Sequence, residues 1–257
     1  GAAIRPGQRV RMKATLGPPA SPALPGGFDF ARAAWFEGLG GVGYTYAPVE
    51  VLSDEPISGW VSRYRAAIED VRATLNARIA SVLPSETGAI ATALITGARG
   101  GISQATNDTY RNAGIFHILS ISGLHMVIMA GAVFFSVRLL LAAFPRVALR
   151  FDIKKWAAVA GIVGALAYLA ISGGAFATVR AAVQIIIMFL AILLDRPALA
   201  LRNVAIAAFI ILLIYPESLF DPGFQMSFAA VTGLVAAYEI VRNRFANPSE
   251  HHPVLRI

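Results

Sequence analysis

His117-Ile118-Leu119-Ser120-Ile121-Ser122-Gly123-Leu124-His125 opens a run, Ile115 to Val137, whose reading decides the fold. The run is apolar and long enough to cross a bilayer, which takes about 20 residues. Its second half, Met126 to Val137, is plain apolar helix, but its first half holds His117, Ser120, Ser122, Gly123 and His125. Polar side chains at membrane depth cost free energy unless they face protein or water. The expectation is a span whose hydrophilic end turns inward, so that its polar groups converge on a bundle core or an aqueous path.

Composition places this span in a membrane protein. The chain has 257 residues, 56% hydrophobic and 14% charged, with mean hydropathy +0.63. Soluble domains carry about 25% charged residues, so the expected class is an α-helical polytopic membrane bundle. Cysteine is absent, which excludes disulfides and thiolate metal sites. The histidines are His117, His125, His251 and His252, and none has metal-ligand spacing with an Asp or Glu. No metal or cofactor is expected. The net charge of +7 is a nucleic-acid footprint in a soluble protein, whereas topology-setting loop arginines explain much of it in a membrane protein. The chain starts Gly1-Ala2-Ala3-Ile4, with neither Met nor a signal peptide, and reads as a piece of a longer protein.

Four more apolar stretches follow: Trp156 to Ile171, Phe176 to Leu194, Val204 to Tyr215 and Phe224 to Ile240. The fourth of the five spans is short, hence tilted, re-entrant or extended by its flanks. Arg138, Arg146, Arg150, Lys154 and Lys155 lie between the first and second spans, and the next loop, Ser172 to Ala175, has no charge. Arg196 and Arg202 follow the third, Glu217 and Asp221 the fourth, and Arg242 and Arg244 the fifth. Basic loops alternate with non-basic ones, as the positive-inside rule requires. The basic loops are therefore expected in the cytoplasm and residues 1–114 outside, provided Ser85 to Ala98 does not cross.

The material before the spans is different. From Gln8 to Leu16, Val10, Met12, Ala14 and Leu16 alternate with Arg9, Arg11, Lys13 and Thr15, the pattern of a half-buried strand. Val42, Tyr44 and Tyr46 repeat the alternation, Pro18 to Gly27 reads as a loop, and Phe28 to Leu39 as a short helix. Residues 1–58 are thus expected to be a small β domain, partial because its first strands lie upstream of Gly1. A basic strand face, Arg9, Arg11 and Lys13, near the rings of Phe28, Phe30 and Trp35 suits single-stranded nucleic acid. The plainer reading makes those rings the domain core. Residues 59–114 form a surface layer: Trp60 to Leu83 is an amphipathic helix, Ser85 to Thr96 a short one, Gly97 to Gly101 a break and Ser103 to Asn112 a polar helix. Residues 115–244 hold the spans, and 245–257 are a tail.

Three constellations carry chemistry. Ser122 and His125 share a face of an unbroken helix, with His117 and Ser120 on the next. They fix packing, line a hydrated path, or form a Ser–His nucleophile within the membrane. Rhomboid-type intramembrane proteases set their serine in Gly-x-Ser-Gly; Ser122-Gly123 matches half of that, and His251 and His252 lie in the tail, which argues against a hydrolase. Arg180 and Gln184, four apart, share a face; Arg180 either snorkels outward or offers phosphate a fixed cation. Asp221 is placed to cap a helix starting at Pro222, and Gln225 within that span needs a partner.

Taken together these stretches resemble the ComEC family of competence proteins, the inner-membrane DNA-uptake channel of naturally transformable bacteria. His117 to His125 is similar to that family's His-Leu-Leu-Ala-Ile-Ser-Gly-Leu-His signature, with Ser120 where alanine is familiar. Val179-Arg180-Ala181-Ala182 resembles its Arg-Ala segment, and Asp221 to Phe228 its Asp-Pro-Gly-Phe-Gln-Leu-Ser-Phe block with Met226 for Leu. Pro25 to Phe30 resembles an element of its N-terminal OB-like domain. The resemblance implies a channel for single-stranded DNA in the bacterial inner membrane, an outer OB-like domain that handles DNA, and partners in the competence machinery or a second copy. The residues expected to line that conduit are His117, Ser120, Ser122, Gly123, His125, Arg180, Gln184, Asp221 and Gln225. Many members add N-terminal spans and a metallo-β-lactamase-like nuclease domain. This sequence has no His-x-His-x-Asp-His motif, so no enzymatic activity is expected of it. A small-solute transporter is the competing class.

Overall fold

The computed structural model describes residues 8–25, 27, 29–36, 38–54 and 59–246. It contains two compact units, Gly1–Asp70 and Val71–Ile257.

In the first unit the alternating stretch from Gln8 is not one strand but two. β1 (Gln8–Arg11) pairs antiparallel with β4 (Glu50–Asp54), and β2 (Ala14–Gly17) with β3 (Val42–Thr45). The break falls at Met12-Lys13, where the Thr45 hydroxyl donates at 2.9 Å to the carbonyls of Lys13 and Ala47 and fastens the corner. Arg9 and Arg11 stay on one exposed side of β1 while Lys13 lies in the link beyond it. α1 (Phe30–Phe36) is shorter than the sequence pattern implies. It starts where Asp29 Oδ1 accepts the Arg32 N–H at 2.9 Å, a side-chain N-cap. Phe28 lies outside the described residues. Trp35 is 80% exposed and Phe30 59%, and among the described residues of this unit only Ala34 is buried. Four short strands supply no layer to cover these rings, so they are surface and not core.

The second unit is helical. α2 (Trp60–Val82), which begins in the first unit, has no buried residue. α3 (Ser85–Thr96) and α4 (Gln104–Asn112) follow, then a 3-10 turn (Phe116–Leu119). α5 (Gly123–Ala142), α7 (Ile153–Ile171), α8 (Phe176–Leu193) and α10 (Pro222–Ala246, as far as Arg242) are long and apolar enough to cross a membrane. α6 (Pro145–Arg150) is a short connector. α9 (Leu201–Ile214) has 14 residues, about 21 Å of helix against a hydrocarbon core of about 30 Å. Its ends nevertheless reach across the bundle. Lys155 Nζ lies 2.6 Å from Asp195 Oδ2, which puts the start of α7 beside the end of α8. The Arg180–Asp221 pair puts the start of α8 beside the start of α10. α9, lengthened by a 3-10 turn at Pro216–Phe220, therefore carries the chain from one end to the other. Its first N–H groups gain a partner from another helix, since Leu201 N–H donates to Glu239 Oε1 at 3.2 Å.

α8 is the wall the other spans share, with half of its length buried. One side joins Met126, Phe134, Ala157, Ala165, Ala182 and Phe189 in a core with α5 and α7. The other joins Ile187, Ala207, Ile211, Phe224 and Phe228 with α9 and α10. Close approach to α7 depends on its small residues. A Cβ on Gly161 would lie 2.7 Å from the Phe189 ring, and that ring is held by Phe134, 5.5 Å away and stacked. Gly161→Val therefore lowers stability by about 1–3 kcal/mol through overpacking, read as an earlier melting transition in detergent.

Candidate functional site

The stretch that opens the spans is folded differently from an unbroken helix. Phe116–Leu119 is a 3-10 turn, Ser120 is extended, and α5 begins only at Gly123 with Ser122 as its N-cap. The reason is local: serine competes for backbone hydrogen bonds and favours helix starts over helix interiors. The crossing helix consequently runs to Ala142, beyond Val137. His125 takes the third helical position, where a capping box more often has Glu. The Ser122 backbone N–H donates to His125 Nδ1 at 3.2 Å, and Ser122 Oγ lies 3.1 Å from the same nitrogen. Because an N–H can only donate, Nδ1 is the acceptor, and the neutral ring carries its proton on Nε2. Helix capping thus accounts for the Ser122–His125 contact without catalysis.

Ser120 is reached from elsewhere: Arg99 Nη2 donates to its Oγ. Arg99 follows Gly97, which ends α3 at φ +79° with its N–H donating to Ala93 O at 3.1 Å. The last carbonyls of α3 are taken by distant groups. Tyr168 OH donates to Leu94 O at 2.9 Å, and Arg72 Nη2 to Thr96 O at 3.0 Å. The Thr96 hydroxyl, fully buried, donates to Asn76 Oδ1 at 2.7 Å. α3 is therefore clamped to the last turn of α7, between α2 and the Ser120 segment. At its other end, the Thr106 hydroxyl donating to Glu86 at 2.7 Å holds that carboxyl below its ordinary range. A cavity of about 360 Å³ lies along α3, lined by Asn76, Ser85, Gly88, Thr92, Gly100 and Gly101.

The first turn of α5 meets α8 beside Arg180: a Cβ on Gly123 would stand 3.7 Å from that of Ala181. Arg180 neither snorkels nor stands free. It is 9% exposed, with Nη1 3.4 Å from Asp221 Oδ2 and the guanidinium 5.3 Å from the Phe176 ring centroid. Phe176 is in turn set edge-on to Tyr215 at 5.4 Å. Asp221 caps α10 as its sequence position implies, its carboxylate accepting the N–H groups of Gly223 at 3.0 Å and Phe224 at 3.2 Å. Gln184, one turn along α8, has a buried Nε2 without a hydrogen-bond partner among the described residues. Gln225 is exposed and donates to Leu219 O at 2.9 Å.

The structure thus gathers Ser120, Ser122, Gly123, His125, Arg180 and Asp221 at one end of the bundle, with Gln184 below them. His117 and Gln225 are exposed. Farther along, α5, α7 and α8 are packed with Ala130, Phe134, Ala157, Ala165 and Phe189, so the polar groups collect at an end and do not run the length of the core. Arg72, Asn76, Thr96, Arg99, Tyr168 and Phe176 join this region unannounced by sequence. Only the glycines around Arg99 marked it.

This is a multi-pass helical membrane protein with a small β unit before its spans and a polar cluster at one end of the bundle. The family model described as Competence protein matches residues 94–255, and the chain belongs to that family. It is also similar to ComE operon protein 3 of Bacillus subtilis (strain 168), 24% identical over 239 residues, which are 92% of this chain. The chain spans 28% of the length of that relative. No solved structure gives a significant match.

Proposed function

We propose that this chain forms part of a conduit that passes single-stranded DNA across the bacterial inner membrane into the cytoplasm during natural transformation. Membership of the competence family supports the process. The observation that carries the mechanism is Arg180, a guanidinium buried in a membrane bundle yet joined to an Asp221 side chain that is 40% exposed. Maintaining a cation there is costly, and a polyanion needs such a counter-charge in a protein-lined, hydrated path. Ser120, Ser122, Gly123 and His125 form the mouth beside it. Gln184 and Gln225 add neutral hydrogen bonds, and His117 stands at the outer rim. The first unit, an OB-like module on the outer side, presents the strand through Arg9, Arg11, Lys13 and its exposed rings. Because the α5–α7–α8 core is closely packed, further spans, competence-machinery partners or a second copy complete the passage.

Binding of labelled oligothymidylate to the whole chain in detergent, titrated with salt, tests the DNA-handling part. Single strands lose affinity with a log–log slope of about −0.7 per phosphate neutralised, so three cations give about −2. Replacing Arg9, Arg11 and Lys13 together by alanine flattens that slope. A slope near zero in the unaltered chain removes phosphate contact from the proposal and leaves a small-solute transporter as the better reading.

A further inference from the structure

The corner where α5 passes through α6 into α7 holds more cations than the fold neutralises. Arg138 lies one turn inside the end of α5, exposed beside Phe135 and Leu139. Among the described residues no acceptor reaches its guanidinium, nor the side chains of Arg146 and Arg150 on α6 or of Lys154. The carboxylates of this end are engaged. Asp152 caps α7 by accepting the N–H groups of Lys154 and Lys155 at 3.1 and 3.2 Å, and Asp195 faces Lys155. Apolar groups point outward among these cations. Arg146, Leu149 and Arg150 share the exposed side of α6, Val147 and Ala148 are half-buried, and Leu149 is 90% exposed. Phe144 and Phe151 flank the helix, and Trp156 stands in the first turn of α7, all more than half exposed. An arginine on the outer surface of a span is costly unless its head reaches headgroup phosphate or water. Leucine and aromatic rings are costly in water and gain at the boundary between headgroups and acyl chains. A nucleic-acid strand would account for the cations, but not for Leu149 or for an arginine set beside Phe135 on the surface of a span.

We propose that this corner is a docking surface for anionic phospholipid. Leu149, Phe144, Phe151 and Trp156 enter the boundary layer of the bilayer, and Arg138, Arg146, Arg150 and Lys154 hold the headgroup phosphates above it. Lipids of net negative charge are preferred over zwitterionic ones, because the cations have no carboxylate of their own to balance them. The lipid is a counter-ion of the fold, and α6 is the element that seats it. The inference rests on the membrane-spanning reading and is independent of the conduit.

Trp156 is the natural reporter. Trp35→Phe and Trp60→Phe, both at exposed positions, leave it as the single indole of the chain. This full-length chain is reconstituted in phosphatidylcholine vesicles that contain the same minor fraction of either brominated phosphatidylglycerol or brominated phosphatidylcholine, and quenching of Trp156 is compared. Brominated phosphatidylglycerol is expected to associate at least about fivefold more strongly, the weight of one basic side chain at an anionic surface. High salt should shrink that preference, since exposed charges are screened. The variant Arg138→Gln with Arg146→Gln and Arg150→Gln is expected to lose the preference while quenching by brominated phosphatidylcholine persists, because the apolar groups still enter the boundary. Equal quenching by the two lipids in the unsubstituted corner overturns the proposal, whatever the variant does. So does a preference that survives removal of the three arginines. If oligothymidylate added at constant ionic strength relieves the phosphatidylglycerol quenching, the surface belongs to a nucleic-acid strand and the lipid assignment falls.

Discussion

On the conduit reading, Arg180→Gln is expected to lower uptake of single-stranded DNA by about ten- to a hundredfold, because a charge-assisted hydrogen bond is worth about 1.5–3 kcal/mol. The protein stays folded and inserted, which makes the loss interpretable. Asp221 keeps its bonds to Gly223 and Phe224 and its access to water, so removing the arginine leaves no buried unpaired charge. The reciprocal change is different. Asp221→Ala strands a guanidinium that is 9% exposed, at a cost of about 3–5 kcal/mol, and also removes a helix cap worth about 1 kcal/mol. Transformation frequency and detergent melting, measured for both variants, separate the two. Arg180→Gln should lose uptake with little change in melting, and Asp221→Ala should lose stability first. Uptake undiminished in a stably inserted Arg180→Gln protein removes Arg180 from the conduit.

Gly97→Val detaches α3 from the bundle. Gly97 sits at φ +79°, where a β-branched residue costs about 1–2 kcal/mol. Its added Cβ would also stand 2.7 Å from the Ser172 carbonyl oxygen, a backbone atom of a buried residue that cannot rotate aside. The combined penalty is about 3 kcal/mol or more, counting about 1–3 for overpacking. The bonds to Leu94 O and Thr96 O break together, since Tyr168 and Arg72 meet α3 within one turn of Gly97. Protease cleavage near Gly97 to Gly101 should rise sharply while α5 to α10 remain resistant. Equal resistance in the variant and the parent chain would show that α3 is not held this way.

How much was legible in the residues follows from the range of the interactions. Apolar length alone marked α5, α7, α8 and α10, because nothing but a membrane or a large core needs such runs. Asp221-Pro222 announced a helix start, and Asp221 indeed caps α10. The break at Ser120 to Ser122 was masked by the hydropathy of Ile118, Leu119 and Ile121, although serine before Gly123 was a cap signal. The division of Gln8 to Leu16 into two strands depends on Thr45, 32 residues away, which no alternation encodes. Likewise Arg99 reaches Ser120 across 21 residues and Arg180 reaches Asp221 across 41. Contacts at such separations belong to topology, so the sequence showed Ser120, Arg180 and Asp221 but not what each would meet.

The unwound residues before α5 also fix a depth. Non-helical backbone stands at membrane depth only where protein or a water-filled cavity covers it, and α5, at 20 residues, spans about 30 Å by itself, the full thickness of the hydrocarbon layer. The hydrocarbon boundary therefore passes close to Gly123. On the conduit reading, Ser120 and His117 would then stand in the headgroup zone, where a hydrated phosphate chain could meet them before any part of it had left water.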